Sequence, residues 1–336
     1  MEMKLIITGA TGFIGRNLAE RFHKSGAHVT ATGRSSRIGA ALRRIGADFR
    51  PADIRDRSQL KQVFEPADCV IHCAGKTGDW GRYSEFYGTN VTGTRNVIAA
   101  CKARDIPKII FLSTPSVYYT GKDRLNISED EPLPARQFDY GKTKLMAERE
   151  LLSGEKENLR AISLRPRAVY GPHDETIAPR IFRLSEKKRF PLINHGRALI
   201  DITCVQNLGD AVENCLLAPD EAWNEVYNIS NGDPVTVLDW FSQMLEMVGR
   251  PFNPRNIPEP MAKTLAGMME WISRLPFGDP RPAMTRFSVG YMARSMTMSI
   301  EKARRKIGYS PRISNQRGFE IYREWLKSHT SSSLRP

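Results

Sequence analysis

Short apolar runs alternate with stretches of helical period along the first half of this chain. Leu5 to Ile7, His28 to Gly33, Asp68 to His72, Lys108 to Leu112 and Ala161 to Leu164 read as strands covered on both faces, with a shorter strand near Asp48 to Arg50. Between them, Phe13, Ile14, Leu18 and Phe22 share one side of a helix. Ile38 to Ile45, residues 57–65, Asn90 to Cys101 and a segment from Tyr140 toward Leu152 carry the same period. Strands and helices in this alternation predict an α/β fold around a doubly wound parallel sheet.

The pattern changes after Pro166 and Gly171-Pro172. Helices are predicted over Ile177 to Glu186, Leu208 to Leu217 and Val237 to Val248, with extended segments at Ile200 to Val205 and Val226 to Ile229. The segment Gly121 to Phe138 reads as a surface turn bordering the mouth of the site. Residues 261–275 carry a broad apolar face of Met261, Leu265, Met268, Met269, Ile272 and Leu275. Such a face suits an adaptable pocket, an ordinary core or an amphipathic helix touching a membrane. Methionines continue through Tyr291 to Met298, near a loop, and Thr330 to Pro336 reads as a frayed tail.

Composition narrows the classes. With 40% hydrophobic and 26% charged residues over 336 positions, the chain is that of a soluble globular protein. Lys and Arg number 50 against 37 Asp and Glu, a net charge of +13 that favours anionic partners. The basic residues are scattered, however, through Arg34, Arg37, Arg43 and Arg44, then Lys187 to Arg189, then Arg304 to Lys306. An anionic cofactor therefore explains the charge better than nucleic acid. The five cysteines form no paired framework, and the six histidines are too dispersed for a metal site. No apolar run spans a membrane, and a strand pattern starts at Lys4 without a signal peptide, so a cytoplasmic location is expected.

Candidate chemistry gathers where strands end. Gly9, Gly12 and Gly15 lie between the first strand and the first helix, where a tight turn and free helical N–H groups suit a dinucleotide pyrophosphate. Thr11, Phe13 and Ile14 belong to the same cradle. After the second strand, Arg34, Ser35 and Arg37 offer cations and hydroxyls and no carboxylate, which points to NADP(H) over NAD(H). Asp53 and Ile54 close the third strand, where an aspartate can meet adenine or simply cap a helix. Ala74 sits in a small-residue bend beside which a flat cofactor could lie; His72, just before it, reads as a packed residue. Asn90 reads as a helix cap. Ser113, Thr114 and Ser116 bring hydroxyls to the end of the fifth strand. Tyr140 and Lys144 share a helix face, where a nearby ammonium is expected to lower the phenol for proton transfer.

The runs Gly9 to Gly15, Ala52 to Ile54, Asn90 to Val97, Phe111 to Tyr119, Tyr140 to Lys144 and Leu164 to Pro172 resemble, in order and separation, the extended short-chain dehydrogenase/reductase superfamily. The resemblance implies a Rossmann-type sheet, with a smaller mixed α/β substrate domain built from carboxyl-terminal insertions. Residues 1–165 would form the dinucleotide-binding domain, completed by segments near 200–225. Residues 166–330 would form most of a discontinuous substrate domain. It also implies Thr114 as the catalytic hydroxyl, Tyr140 as acid/base, Lys144 as its partner and Asn90 as an organiser of the active site. A homodimer is the usual assembly. Tyr119 replaces the usual glycine, which would alter the substrate rim.

Pro191 to Arg197, Val205 to Ala211, Val226 to Gly232 and Lys306 to Pro311 look most like the 3β-hydroxysteroid dehydrogenase branch, which includes reductases of long-chain 2-alkyl-3-keto acids. The expected activity is hydride transfer between a secondary alcohol and a ketone on a hydrophobic substrate. Arg167 or Arg180 would meet a carboxylate if the substrate carries one. Two alternatives remain: an NAD-dependent sugar-nucleotide epimerase or dehydratase, and a cofactor-sensing protein without turnover.

Overall fold

A computed structural model describes residues 2–135, 137–153, 159–186, 190–275 and 281–329. The basic run Lys187 to Arg189 and the tail from Thr330 lie outside the described residues. β1 (Lys4–Thr8), α1 (Phe13–Lys24), β2 (His28–Gly33), α2 (Ser36–Arg44), β3 (Asp48–Pro51), α3 (Arg57–Val63) and β4 (Cys69–His72) keep the predicted alternation. Then follow α4 (Tyr83–Tyr87), a π-helical turn at Gly88–Thr92, α5 (Gly93–Ala103), β5 (Lys108–Leu112), β6 (Arg124–Ile127), α6 (Asp139–Leu152) and β7 (Arg160–Pro166).

The second half adds β8 (Val169–Tyr170), α7 (Ala178–Ser185), β9 (Phe190–Ile193), β10 (Leu199–Ile200), β11 (Thr203–Cys204) and α8 (Val205–Leu217). β12 (Glu225–Ile229), β13 (Val235–Thr236), α9 (Val237–Met247), β14 (Pro254–Ile257) and α10 (Glu259–Ile272) come next. α11 (Arg286–Ala293), β15 (Met296–Met298), α12 (Glu301–Ile307) and α13 (Asn315–His329) complete the described chain.

Seven parallel strands form the main sheet in the order β12-β7-β5-β4-β1-β2-β3. This is a Rossmann-type arrangement. The period of two divides its strands between two cores. Leu5, Ile7, Ile71, Ile110 and Leu164 face one layer with Leu18, Phe22, Leu208 and Val212. Ile6, Val70, Ile109, Phe111 and Ala161 face the other with Leu60, Val97, Ala147 and Leu151. Each fully buried aliphatic side chain contributes about 1.5–3 kcal/mol. Coverage on both faces explains why these strands are continuous apolar runs. Strand order reverses between β1 and β4, which opens a crevice at their carboxyl ends.

Smaller sheets come from the later chain, joined by β6 from the first half: β13-β10-β15-β6, β11-β8 and β14-β9. Two expectations change here. The predicted turn at 121–138 contains β6, which pairs in parallel with β15 across a register shift. The predicted extended run at Ile200 to Val205 splits into β10 and β11, which join different sheets. Both are pairings between distant segments that local hydropathy does not encode.

Candidate active site

The crevice begins at the turn from β1 to α1. Gly9 has φ +71°, and a Cβ there would stand 2.6 Å from the Ala74 nitrogen. At Gly15 a Cβ would overlap the Gly9 carbonyl, so the missing side chain sets how closely α1 meets β1. Gly12 caps α1 without a side chain, and its first turn holds no acidic residue. The N–H groups of Phe13 and Ile14 therefore have no side-chain cap, a geometry that fits a pyrophosphate. Gly15→Ala is expected to lower both Tm and NAD affinity; retention of both in thermal melts and cofactor titrations would show that the close approach is dispensable.

At the end of β2, Arg34 and Arg37 are exposed and Ser35 caps α2, its hydroxyl accepting from Ile38 N at 3.4 Å. Asp53 binds Arg55 at 2.6 Å. That hydrogen bond outweighs partial burial and holds its carboxyl below the usual range, with a smaller pull from Arg34. Ile54 is buried, and its carbonyl accepts from Asn96 on α5 at 3.0 Å.

Past β4, His72 is locked between Thr8 (2.6 Å from Nδ1) and Thr94 (3.0 Å from Nε2). Burial, with help from the Lys144 charge, pushes its imidazole down to about 3. It is a packed residue, as its sequence context suggests. Asn90 lies in the π-helical turn, a distortion often found at functional sites. Its Oδ1 accepts from Lys76 N at 2.7 Å, and its Nδ2 donates to Lys76 O at 3.1 Å and Thr143 Oγ1 at 3.0 Å. It is thus more than a cap, tying the loop after β4 to α6.

Thr114, at the end of β5, starts a 3-10 turn over Pro115–Tyr118, and its hydroxyl accepts from Ser116 N at 3.2 Å. A Cβ at Gly141 would sit 3.1 Å from Ser116 O, so a glycine beside Tyr140 brings α6 against this turn. The Tyr140 phenol and the Thr114 hydroxyl are close enough for the threonine to favour the phenolate. One turn on, Lys144 is buried, with Nζ 3.8 Å from the centre of the Phe111 ring. A Cβ on Gly75 would stand 3.2 Å from Asn90 Oδ1 and 3.7 Å from Lys144 Nζ, so these groups converge on one point.

The expected lowering of the Tyr140 phenol is not what the structure shows. Burial raises it, against a smaller opposing effect from the neighbouring Thr114 hydroxyl. Burial also pushes Lys144 down to about 7, against the pull of Glu148 and Cys73. An ammonium so depressed supplies little charge to its neighbour.

The face of α10 is also unlike the pocket reading. Met261, Met268, Trp271, Ile272 and Leu275 are exposed, whereas Ala262 and Ala266 do the packing. Met269 does line a cavity of about 230 Å³ with Leu184, Pro191, Arg255, Ile257, Ala283 and Met284, but none of Thr114, Tyr140 or Lys144 borders it. No helix among the described residues is long and apolar enough to cross a membrane, and none of their side-chain clusters could hold a metal.

Two features escaped the sequence reading. Arg165 is buried with Glu148 (3.1 Å from Nε to Oε2) and Tyr118, joining β7 to α6. Tyr119, Phe138, Phe287 and Tyr291 stack within 4.4–5.8 Å, bringing α11 against the residues that precede Tyr140. Odd-numbered polar residues in Arg160–Pro166 were a signal for the first; nothing local signals the second.

Residues 5–230 match the model of the NAD dependent epimerase/dehydratase family. A 2-alkyl-3-oxoalkanoate reductase of Shewanella oneidensis is 30% identical over 327 residues, covering 94% of this chain and 84% of that protein. The UDP-glucuronic acid 4-epimerase of Bacillus cereus, solved with NAD, is 25% identical with a TM-score of 0.73, covering 97% and 99%. The UDP-glucose 4-epimerase of Thermotoga maritima, solved with UDP-glucose, has a TM-score of 0.78 at 21% identity, again covering 97% and 99%. NAD in the solved epimerase overturns the NADP(H) preference read from Arg34 to Arg37. The physical reason is at hand: Ser35 is engaged in capping, and the arginines point to solvent.

Proposed function

The chain belongs to the NAD dependent epimerase/dehydratase family, and from that premise we propose hydride transfer at a secondary carbinol carbon, with Tyr140 handling the oxygen-bound proton. The observation that carries this reading is the convergence of Tyr140, Thr114 and buried Lys144 at the carboxyl end of β5. NAD, when bound, supplies the hydride acceptor or donor. Gly9, Thr11, Gly12, Phe13, Ile14 and Gly15 would cradle its pyrophosphate, Asp53 and Ile54 its adenosine, and Ala74 its flat face. Thr114 orients the substrate oxygen, and Tyr140 gives or takes its proton. Lys144 positions the ribose side of the site, and Asn90 holds the Lys76 loop and α6 in register.

Two fates of the hydride remain. Its return to the same substrate, as in a sugar-nucleotide epimerase or dehydratase, comes first. It draws support from the solved UDP-sugar epimerases and from the exposure of the α10 face that a large apolar pocket would have used. Net reduction of a 3-oxo acid is the second reading, supported by the reductase relative that matches across nearly the whole chain.

The test is a turnover screen of UDP-sugars and 2-alkyl-3-oxo acids with NAD(H), together with assay of cofactor retained on purification. Retained NAD and activity on UDP-sugars alone are expected for the first reading. Consumption of NADH with an oxo acid would replace it by the second.

A further inference from the structure

The odd-numbered residues of β7 face α6, the helix that carries Tyr140 and Lys144. Ser163 donates to Glu148 at 2.7 Å, and Arg165 is held by Glu148 and Tyr118. Arg167 follows in the same row, one residue past the strand. Leu112 pairs with Leu164 and Ser113 N donates to Leu164 O, so Arg167 leaves β7 at the same end of the sheet where β5 delivers Thr114. Its backbone is fixed from two sides. Its N–H donates to Ile229 O at 3.1 Å, and its carbonyl accepts from Thr203 Oγ1 at 2.5 Å.

The side chain is only 1% exposed, yet Nε and Nη1 have no hydrogen-bond partner among the described residues. The guanidinium carbon lies over Tyr291, 3.8 Å from the ring centre, within the aromatic group that also holds Tyr119, Phe287 and Phe138. Asp201 is near enough to be felt but accepts from Met298 N at 2.6 Å and makes no ion pair with Arg167. Burial lowers this arginine to about 9, so it remains a cation at neutral pH. Arg180, the other sequence candidate, is already paired with Asp79 at 3.3 Å.

A buried cation with two idle donors costs folding free energy, and a partner is the ordinary remedy. We propose that Arg167 is a specificity residue that grips an oxyanion of the substrate, a carboxylate or a phosphate, through its unpartnered Nε and Nη1 N–H groups. A guanidinium makes strong charge-assisted hydrogen bonds to either anion, and the Tyr291 ring lies against it. The inference rests on the reading of this cleft as the substrate site, but not on which hydride fate applies.

The test titrates the full-length, NAD-loaded protein with UDP, with 3-oxodecanoate and with neutral methyl 3-oxodecanoate, using wild type, Arg167→Met and Arg167→Lys. In Arg167→Met, affinity for one of the two anions should fall about 10- to 100-fold, while the methyl ester and NAD bind as before. Loss confined to UDP assigns a phosphate, and loss confined to the oxo acid a carboxylate. Arg167→Lys should bind that anion with intermediate affinity. Because the lost cation lacks a partner, Arg167→Met should melt no lower than wild type; if it fails to fold, the lysine variant carries the comparison. Unchanged titrations of both anions, including no binding by any form, overturn the proposal. The assay needs no turnover, so failure of the Tyr140 assignment would register separately.

Discussion

Tyr140→Phe is expected to lower kcat by about a hundred- to ten-thousandfold while leaving NAD affinity nearly unchanged. The size of the effect follows from the lack of a substitute. His72 is held at both ring nitrogens and pushed down to about 3. Burial drives the Cys73 thiol up to about 12. Thr114 can relay a hydrogen bond but holds its proton far too tightly to act as an acid. Burial also raises Tyr140, so the phenol is the protonated form at neutral pH. Oxidation of an alcohol, which needs the phenolate, should therefore accelerate as pH rises, and reduction should not. Steady-state rates across pH, with cofactor titration of each variant, measure both effects. Full activity in Tyr140→Phe would remove the tyrosine from the chemistry.

Lys144→Met should cut kcat by about a hundred- to a thousandfold, on the scale of losing one preorganised polar group, and raise the stability of the cofactor-free protein. The second effect is a matter of linkage. Lys144 titrates near 7 in the fold against 10.5 for an unhindered lysine. Between those values the unfolded chain binds more protons than the native one, so stability rises with pH across that window. Below about 7 both states are protonated, and the full penalty of the buried charge remains. The methionine variant lacks the penalty and its slope. Its advantage in Tm should be large at pH 7 and fade toward pH 10. A constant difference between the melting curves of the two proteins across that range would show that the ammonium is not desolvated. A buried ammonium that weakens the fold where it stands fits a functional position.

Much of the nucleotide half was legible from periodicity because each strand is buried on both faces and each helix on one. His28–Gly33 and Lys108–Leu112 begin and end where the apolar runs do. That a hydroxyl from the Ser113 to Ser116 cluster could meet Tyr140 followed from their places after a strand and at a helix start, and only the family resemblance singled out Thr114. Their electrostatics did not follow, since spacing shows that two groups are near without showing how dry their surroundings are. The same gap misled the reading of Arg34 to Arg37, where a hydroxyl counted as a ligand caps a helix. On α10, hydropathy identified an apolar face but not its partner, and the face proved to look outward. β6 and β15 are paired across a long stretch of chain and carry no local mark of it.

The origin of the hydrogen on the carbinol carbon separates hydride transfer from proton exchange with solvent. Wild-type protein would be turned over in D2O with the substrate found in the screen, and the product carbon examined by mass spectrometry and NMR. Hydride transfer predicts that this hydrogen comes from the nicotinamide or from the substrate itself, with no solvent deuterium on that carbon. Deuterium from solvent at that carbon, at the rate of turnover, would contradict the account and point to deprotonation and reprotonation instead.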